Sequence, residues 1–211
     1  MPSISFLGTG SGAPSADRFF SSSLLLVEGR HLLIDAGEPC VHLLRDRGNL
    51  LCEIDAVLIT HGHVDHIGGL PALLQGCMLL GRTKDLAIVL PEEMIAPLRA
   101  WVGALYLTEK GLGFSISWNA WSDRVAVELG KGIAVTPWPN EHLKSSYSLL
   151  EGYDPSRPCR SYSLEIVSEG FRGLFSGDLS EATELGSLVS KPSTVLLSEL
   201  SHFGAEDLAT V

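Results

Sequence analysis

Three imidazoles and a carboxylate fall within six residues, at His61, His63, Asp65 and His66. Imidazole nitrogen and carboxylate oxygen are the donors that a borderline dication such as zinc accepts. Four donors this close in sequence do not easily converge on one tetrahedral centre, so two neighbouring ions sharing the segment are expected. Gly62, Gly68 and Gly69 let the backbone fold tightly around them. The plainer alternative is a capped helix start that carries spare histidines. Two adjacent dications lower the pKa of a shared water toward ~7 and neutralise charge on substrate oxygens. The chemistry expected is therefore hydrolysis that needs no side-chain base.

Such a segment must be delivered by something rigid. Ala56–Thr60 (AVLIT) is a continuous apolar run that predicts a fully buried strand leading straight into His61. Earlier strands are predicted at Ile4–Leu7, Ser23–Val27 and His31–Ile34, and a helix over about Pro39–Asp46. A helix over Leu70–Leu80, a buried strand at Leu86–Leu90 and a helix from Pro91 to about Leu107 follow. The second half reads similarly, with strands at Ser115–Trp118, Arg124–Leu129 and Ile133–Thr136. Four prolines predict an irregular loop over 137–160. A hairpin at Ser161–Val167 and Gly173–Ser176, a short helix near Ser180–Leu188, a buried strand at Val195–Leu197 and a helix from Ala205 complete the chain. Mixed strands and helices in two similar halves predict an α/β fold, a four-layer αββα sandwich spanning residues 1–211 as one domain.

Composition narrows the function. The 211 residues carry a formal charge of −10, with 45% hydrophobic and 19% charged residues, which argues against disorder and against a generic nucleic-acid coat. Two dications would add +4 locally, so an acidic protein could still draw a phosphate into its cleft. Cys40, Cys52, Cys77 and Cys159 form no C-x-x-C pair and read as reduced thiols of a cytoplasmic protein. No signal peptide, transmembrane run or membrane partner is expected. The Gly8-Thr-Gly-Ser-Gly12 stretch does not fit a nucleotide loop, because no Gly-Lys-Ser/Thr follows and Pro14 stands where a helix would begin. It is better placed as a wall of the metal site.

The histidine motif resembles that of the metallo-β-lactamase superfamily of hydrolases. Within it, Phe6–Ser15 with Arg18 resembles the ribonuclease Z branch, whose members mature transfer-RNA 3′ ends. This resemblance implies further ligands: His142 in Thr-Pro-Trp-Pro-Asn-Glu-His, and Asp178 in Ser176-Gly177-Asp178. An ordinary loop histidine and a helix N-cap are the respective alternatives. One ion would take His61, His63 and His142, the other Asp65 and His66, with Asp178 between them. The ions would be zinc, with manganese or iron as alternatives. Asp35, in Asp35-Ala-Gly37, would fix the backbone of the histidine loop. The family's last histidine ligand has no match before Val211, which implies a natural chain that continues and supplies a final strand. His202, with Glu199 beside it, matches the family's leaving-group histidine; a metal ligand and a surface histidine are its other readings.

The function implied is a dinuclear metal-dependent phosphodiesterase, similar to ribonuclease Z. Asp65 would orient the nucleophile, His202 and Glu199 would serve the leaving group, and Arg18 would contact substrate. The alternative is an acyl hydrolase of a thioester, lactone or lactam, and beyond it a non-catalytic metal-binding relative. RNA or a smaller nucleotide-like phosphodiester are the candidate substrates. The short interval Leu143–Gly177, where ribonuclease Z carries its RNA-gripping insertion, weakens transfer-RNA processing and leaves the smaller one open, though some relatives place such an arm elsewhere. A homodimer is left open.

Overall fold

The computed structural model describes residues 1–150 and 158–211 and divides into two compact units, Met1–Ala120 and Trp121–Val211. The first holds a six-stranded sheet in the order β1 (Ser3–Gly8), β2 (Ser22–Val27), β3 (Arg30–Ile34), β4 (Ile54–Leu58), β5 (Leu86–Leu90) and β6 (Ile116–Ala120). β1, β2 and β3 pair antiparallel; β3 through β6 pair parallel. Each parallel step needs a crossover. α1 (Cys40–Asp46) supplies the first. α2 (Val64–Ile67) with α3 (Leu70–Leu79) supplies the second, and α4 (Glu92–Ala104) with α5 (Glu109–Leu112) the third. Leu33, Val57, Ile59, Ile88 and Leu90 pack with Leu44, Leu70, Leu73, Leu74 and Leu98 of these helices in one core. Leu25, Leu32, Ile34, Ala56 and Leu58 are buried as well, which is why Ala56–Ile59 reads as an unbroken apolar run.

The helix expected to reach Leu107 ends at Ala104. Tyr106 adopts φ 64°. Its N–H bonds Gly103 O at 3.0 Å and that of Leu107 bonds Val102 O at 3.0 Å. This is a Schellman closure made without glycine, and it turns Leu107 back into the core.

The second unit holds a five-stranded sheet in the order β11 (Val195–Leu197), β10 (Phe171–Phe175), β9 (Ser161–Ser168), β8 (Ala134–Asn140) and β7 (Val127–Glu128). β11 is half-buried, against the expectation of a buried strand. The loop expected over 137–160 is corrected at its start, because β8 runs through Pro137 and Pro139 to Asn140. The reason lies in the register. Pro137 O accepts the N–H of Arg124 at 2.9 Å, on the side away from β9. Pro137 and Pro139 share that parity, so neither missing N–H belongs to the β8–β9 ladder. A 3-10 turn at Lys144–Ser146 and α6 (Tyr147–Leu150) follow; 151–157 lie outside the described residues. The short helix expected near Ser180–Leu188 is a 3-10 turn, Ala182–Leu185, continued by α7 (Gly186–Val189), and α8 spans Ala205–Leu208.

Candidate functional site

In the first unit β3 and β4 run parallel, so the loops at their carboxyl ends leave the same edge of the sheet. One loop carries Asp35, the other His61 to His66. Asp35 is buried, at φ 57°. Its Oδ1 accepts the Thr60 N–H at 2.8 Å, and the Thr60 hydroxyl donates to the same carboxylate at 3.0–3.1 Å. With that proton committed, Thr60 Oγ1 accepts from His61 Nδ1 at 3.0 Å. His66 Nδ1 donates to Asp35 Oδ2 at 2.7 Å. Both rings therefore carry their proton on Nδ1 and offer Nε2 as the donor for a metal, the arrangement by which an outer carboxylate orients imidazole ligands. Sequence reasoning missed Thr60, which looked like the last residue of an apolar strand.

The turn at Asp35 is stitched to the motif itself. Ala36 N–H bonds His66 O at 2.7 Å, and Gly69 N–H bonds Ala36 O at 2.7 Å. A Cβ at Gly37 would overlap the carbonyl oxygen of Asp65, so only glycine permits this approach. His61, Asp65 and His66 are buried and His63 is exposed. His61 Nε2 and His63 Nδ1 stand 3.1 Å apart. Two nitrogens bound to one tetrahedral zinc at about 2.0–2.1 Å are about 3.3–3.4 Å apart, so this pair fits a dication. Asp65 Oδ2 lies 3.6 Å from His66 Nε2. A dication there would offset the cost of taking Asp65 out of water. Gly12 of the glycine-rich loop packs on the same carboxylate, since a Cβ there would sit 3.4 Å from Asp65 Oδ2. Arg18 is exposed on that loop, which Gly10 N–H closes onto Phe19 O at 2.6 Å.

In the second unit β8 and β10 are both antiparallel to β9, and β11 is parallel to β10. β8, β10 and β11 thus point one way, and their carboxyl ends bring His142, Asp178 and the Glu199–His202 pair to one edge. His142 Nε2 lies 3.6 Å from Asp178 Oδ2, and the His142 and His202 rings meet edge to face at 4.8 Å. Asn140 Oδ1 accepts the His142 N–H at 3.3 Å. Asp178 follows Gly177, at φ 58°. The turn after it begins from Glu181, so Asp178 is not that turn's N-cap. Glu199 Oε1 accepts from His202 Nδ1 at 2.8 Å and from Leu179 N–H at 2.9 Å; Oε2 accepts from Ser201 N–H at 2.7 Å.

The thiols lie apart from this chemistry. Burial, with the Glu38 charge adding to it, pushes Cys40 up to about 12; burial also pushes Cys77 up to about 12. Both stay protonated, and Cys40, Cys52 and Cys77 are in no disulfide.

The sequence profile of the family described as anti-Pycsar protein Apyc1 matches residues 2–204. Ribonuclease Z of Clostridium perfringens is 34% identical over 169 residues, covering 79% of this chain and 52% of that protein. The chain spans about half the length of the curated relatives it matches. Human tRNase Z, short form, superposes with a TM-score of 0.74 at 22% identity, over 100% of this chain and 87% of that one. The metallo-β-lactamase fold protein YhfI of Bacillus subtilis superposes at 0.72 with 19% identity, over 98% and 76%. The expected fold class is therefore the observed one, and the chain belongs to the anti-Pycsar protein Apyc1 family, a metallo-β-lactamase-fold group close to ribonuclease Z.

Proposed function

We propose that the chain is a metal-dependent phosphodiesterase that uses two divalent ions, zinc foremost. The carrying observation is the pair of His61 Nε2 and His63 Nδ1 at 3.1 Å, with Asp35 and Thr60 fixing the ring tautomers behind it. By the family resemblance, His61, His63 and His142 would hold one ion and Asp65 and His66 the other, with Asp178 as a further ligand. When bound, such ions acidify water and withdraw charge from phosphoryl oxygens. Asp65 orients the nucleophile. As an imidazolium, with Nδ1–H on Glu199, His202 would give the Nε2 proton to the leaving oxygen. Arg18 contacts substrate from the exposed loop.

A relative 34% identical is named ribonuclease Z, a name for action on phosphodiester linkages, which supports this reading over thioester, lactone or lactam hydrolysis. Between His142 and Asp178, residues 161–175 form a tight hairpin. That favours a compact nucleotide-like phosphodiester over folded RNA. The buried, protonated thiols of Cys40 and Cys77 support a cytoplasmic setting. No helix among the described residues is long and apolar enough to cross a membrane. The test is a panel of bis-p-nitrophenyl phosphate, a dinucleotide, pre-transfer RNA, a thioester and a lactam, with zinc-loaded protein. A phosphodiester should turn over fastest, and the dinucleotide faster than pre-transfer RNA. Faster thioester or lactam turnover overturns the reading.

A further inference from the structure

Glu184 belongs to the turn after Asp178, yet its carboxylate reaches two loops. Oε1 accepts the N–H groups of Ser180 at 2.8 Å and Glu181 at 3.1 Å. Oε2 accepts the N–H of Glu141, the residue before His142, at 2.6 Å. Three backbone donors thus meet one carboxylate, and charge-assisted bonds of this kind are short and strong. Glu141 is separated from Glu184 by the whole of β9 and β10. No local turn could set the spacing of the two segments, and Glu184 spans it directly. On its other side the Asp178 segment is held by Glu199, through Leu179 N–H.

We infer that Glu184 is a positioning residue that sets the spacing between the His142 loop and the Asp178 loop, and so sets the affinity of the ion that His142 binds. This rests on the metal reading above. It adds a residue that touches neither metal nor substrate and acts through backbone amides on both ligand loops.

Glu184→Gln separates this role from simple support of the turn. The amide oxygen can still accept from Ser180 and Glu181, but the amide nitrogen then faces the Glu141 N–H, donor against donor. Zinc affinity would be measured by chelator competition, and the cobalt(II)-loaded protein would be examined for its d–d absorption. Weakening of the His142-bound ion by about 10–100-fold is expected, as for loss of other outer partners of metal ligands, with an altered cobalt spectrum. Glu184→Asp keeps the charge but is one methylene shorter, and should weaken binding in the same direction. Glu181→Gln removes a neighbouring charge without touching Glu141, and should bind as wild type. Wild-type affinity and spectrum in whichever Glu184 variant folds would overturn the inference, as would equal weakening by Glu181→Gln. Wild-type protein that binds no metal would instead sink the metal reading itself.

Discussion

The two units supply the candidate site residues in opposite ways. In the first, four come from a single six-residue stretch, and their orientation is fixed from below by Asp35 and Thr60, both buried. In the second, His142, Asp178 and His202 come from loops after three different strands, tied by carboxylates that accept backbone and imidazole N–H groups. The first site is built into the core of its unit, so its supports are also supports of the fold. The second is assembled on a rim and its parts are half-buried or exposed. Damage to the first should therefore appear as lost stability together with lost metal. Damage to the second should appear in metal affinity or rate, with the fold retained.

Asp35→Ala should break this contrast most severely if it is mistaken. The change removes the acceptor for Thr60 N–H, the Thr60 hydroxyl and His66 Nδ1 at a buried position. A loss of about 3–5 kcal/mol is expected in urea denaturation of metal-free protein. A loss below about 1 kcal/mol would mean that the first site is no more built-in than the second. His63→Ala sharpens the point, because His63 is the exposed member of the motif. It should remove most of the first ion, by elemental analysis, while leaving the metal-free melting curve nearly unchanged.

His202→Ala tests the rim. Its kcat for a poor leaving group should fall about 10²–10⁴-fold, with metal content and melting temperature retained. An activated nitrophenolate leaving group should lose far less. Equal loss for both substrates together with loss of an ion would make His202 a ligand.

The smallest effect is expected at Asp55, at the amino end of β4 and far along the strand from His61. Burial opposes its charge, but Lys84 at 2.8 Å, the His31 N–H at 2.8 Å and Arg30 at 3.4 Å outweigh it and hold the carboxyl below its ordinary value. Its contribution is full above the unfolded value near ~3.9 and is lost as pH falls through the lower folded value. Asp55→Asn should cost about 1 kcal/mol at pH 7 and less at acid pH, measured by urea denaturation across pH, with no change in metal content. A cost that grows toward acid would contradict the sign.

Much of the first site was legible because its donors are contiguous. Local sequence placed His61, His63, Asp65 and His66 on a loop after a buried strand, since hydrophobic runs and donor types are local properties. The proline-bearing strand was not legible. Proline content predicts a loop, and only the parity of Pro137 and Pro139 against β9 makes them harmless to the ladder. Likewise a helix end at Tyr106 carries no glycine to announce it.

The sequence by itself pointed to metal-binding chemistry, to the strand that delivers it and, through a family resemblance, to the distant residues proposed as ligands. Only the tertiary structure decided what holds those ligands. Thr60 and Asp35 become partners because β3 and β4 pair in parallel. Glu184 reaches Glu141 because β8, β9 and β10 return the chain to one edge of the sheet. Contacts between residues far apart in sequence depend on strand register, and register is set by pairing across the whole sheet rather than by any short stretch of chain.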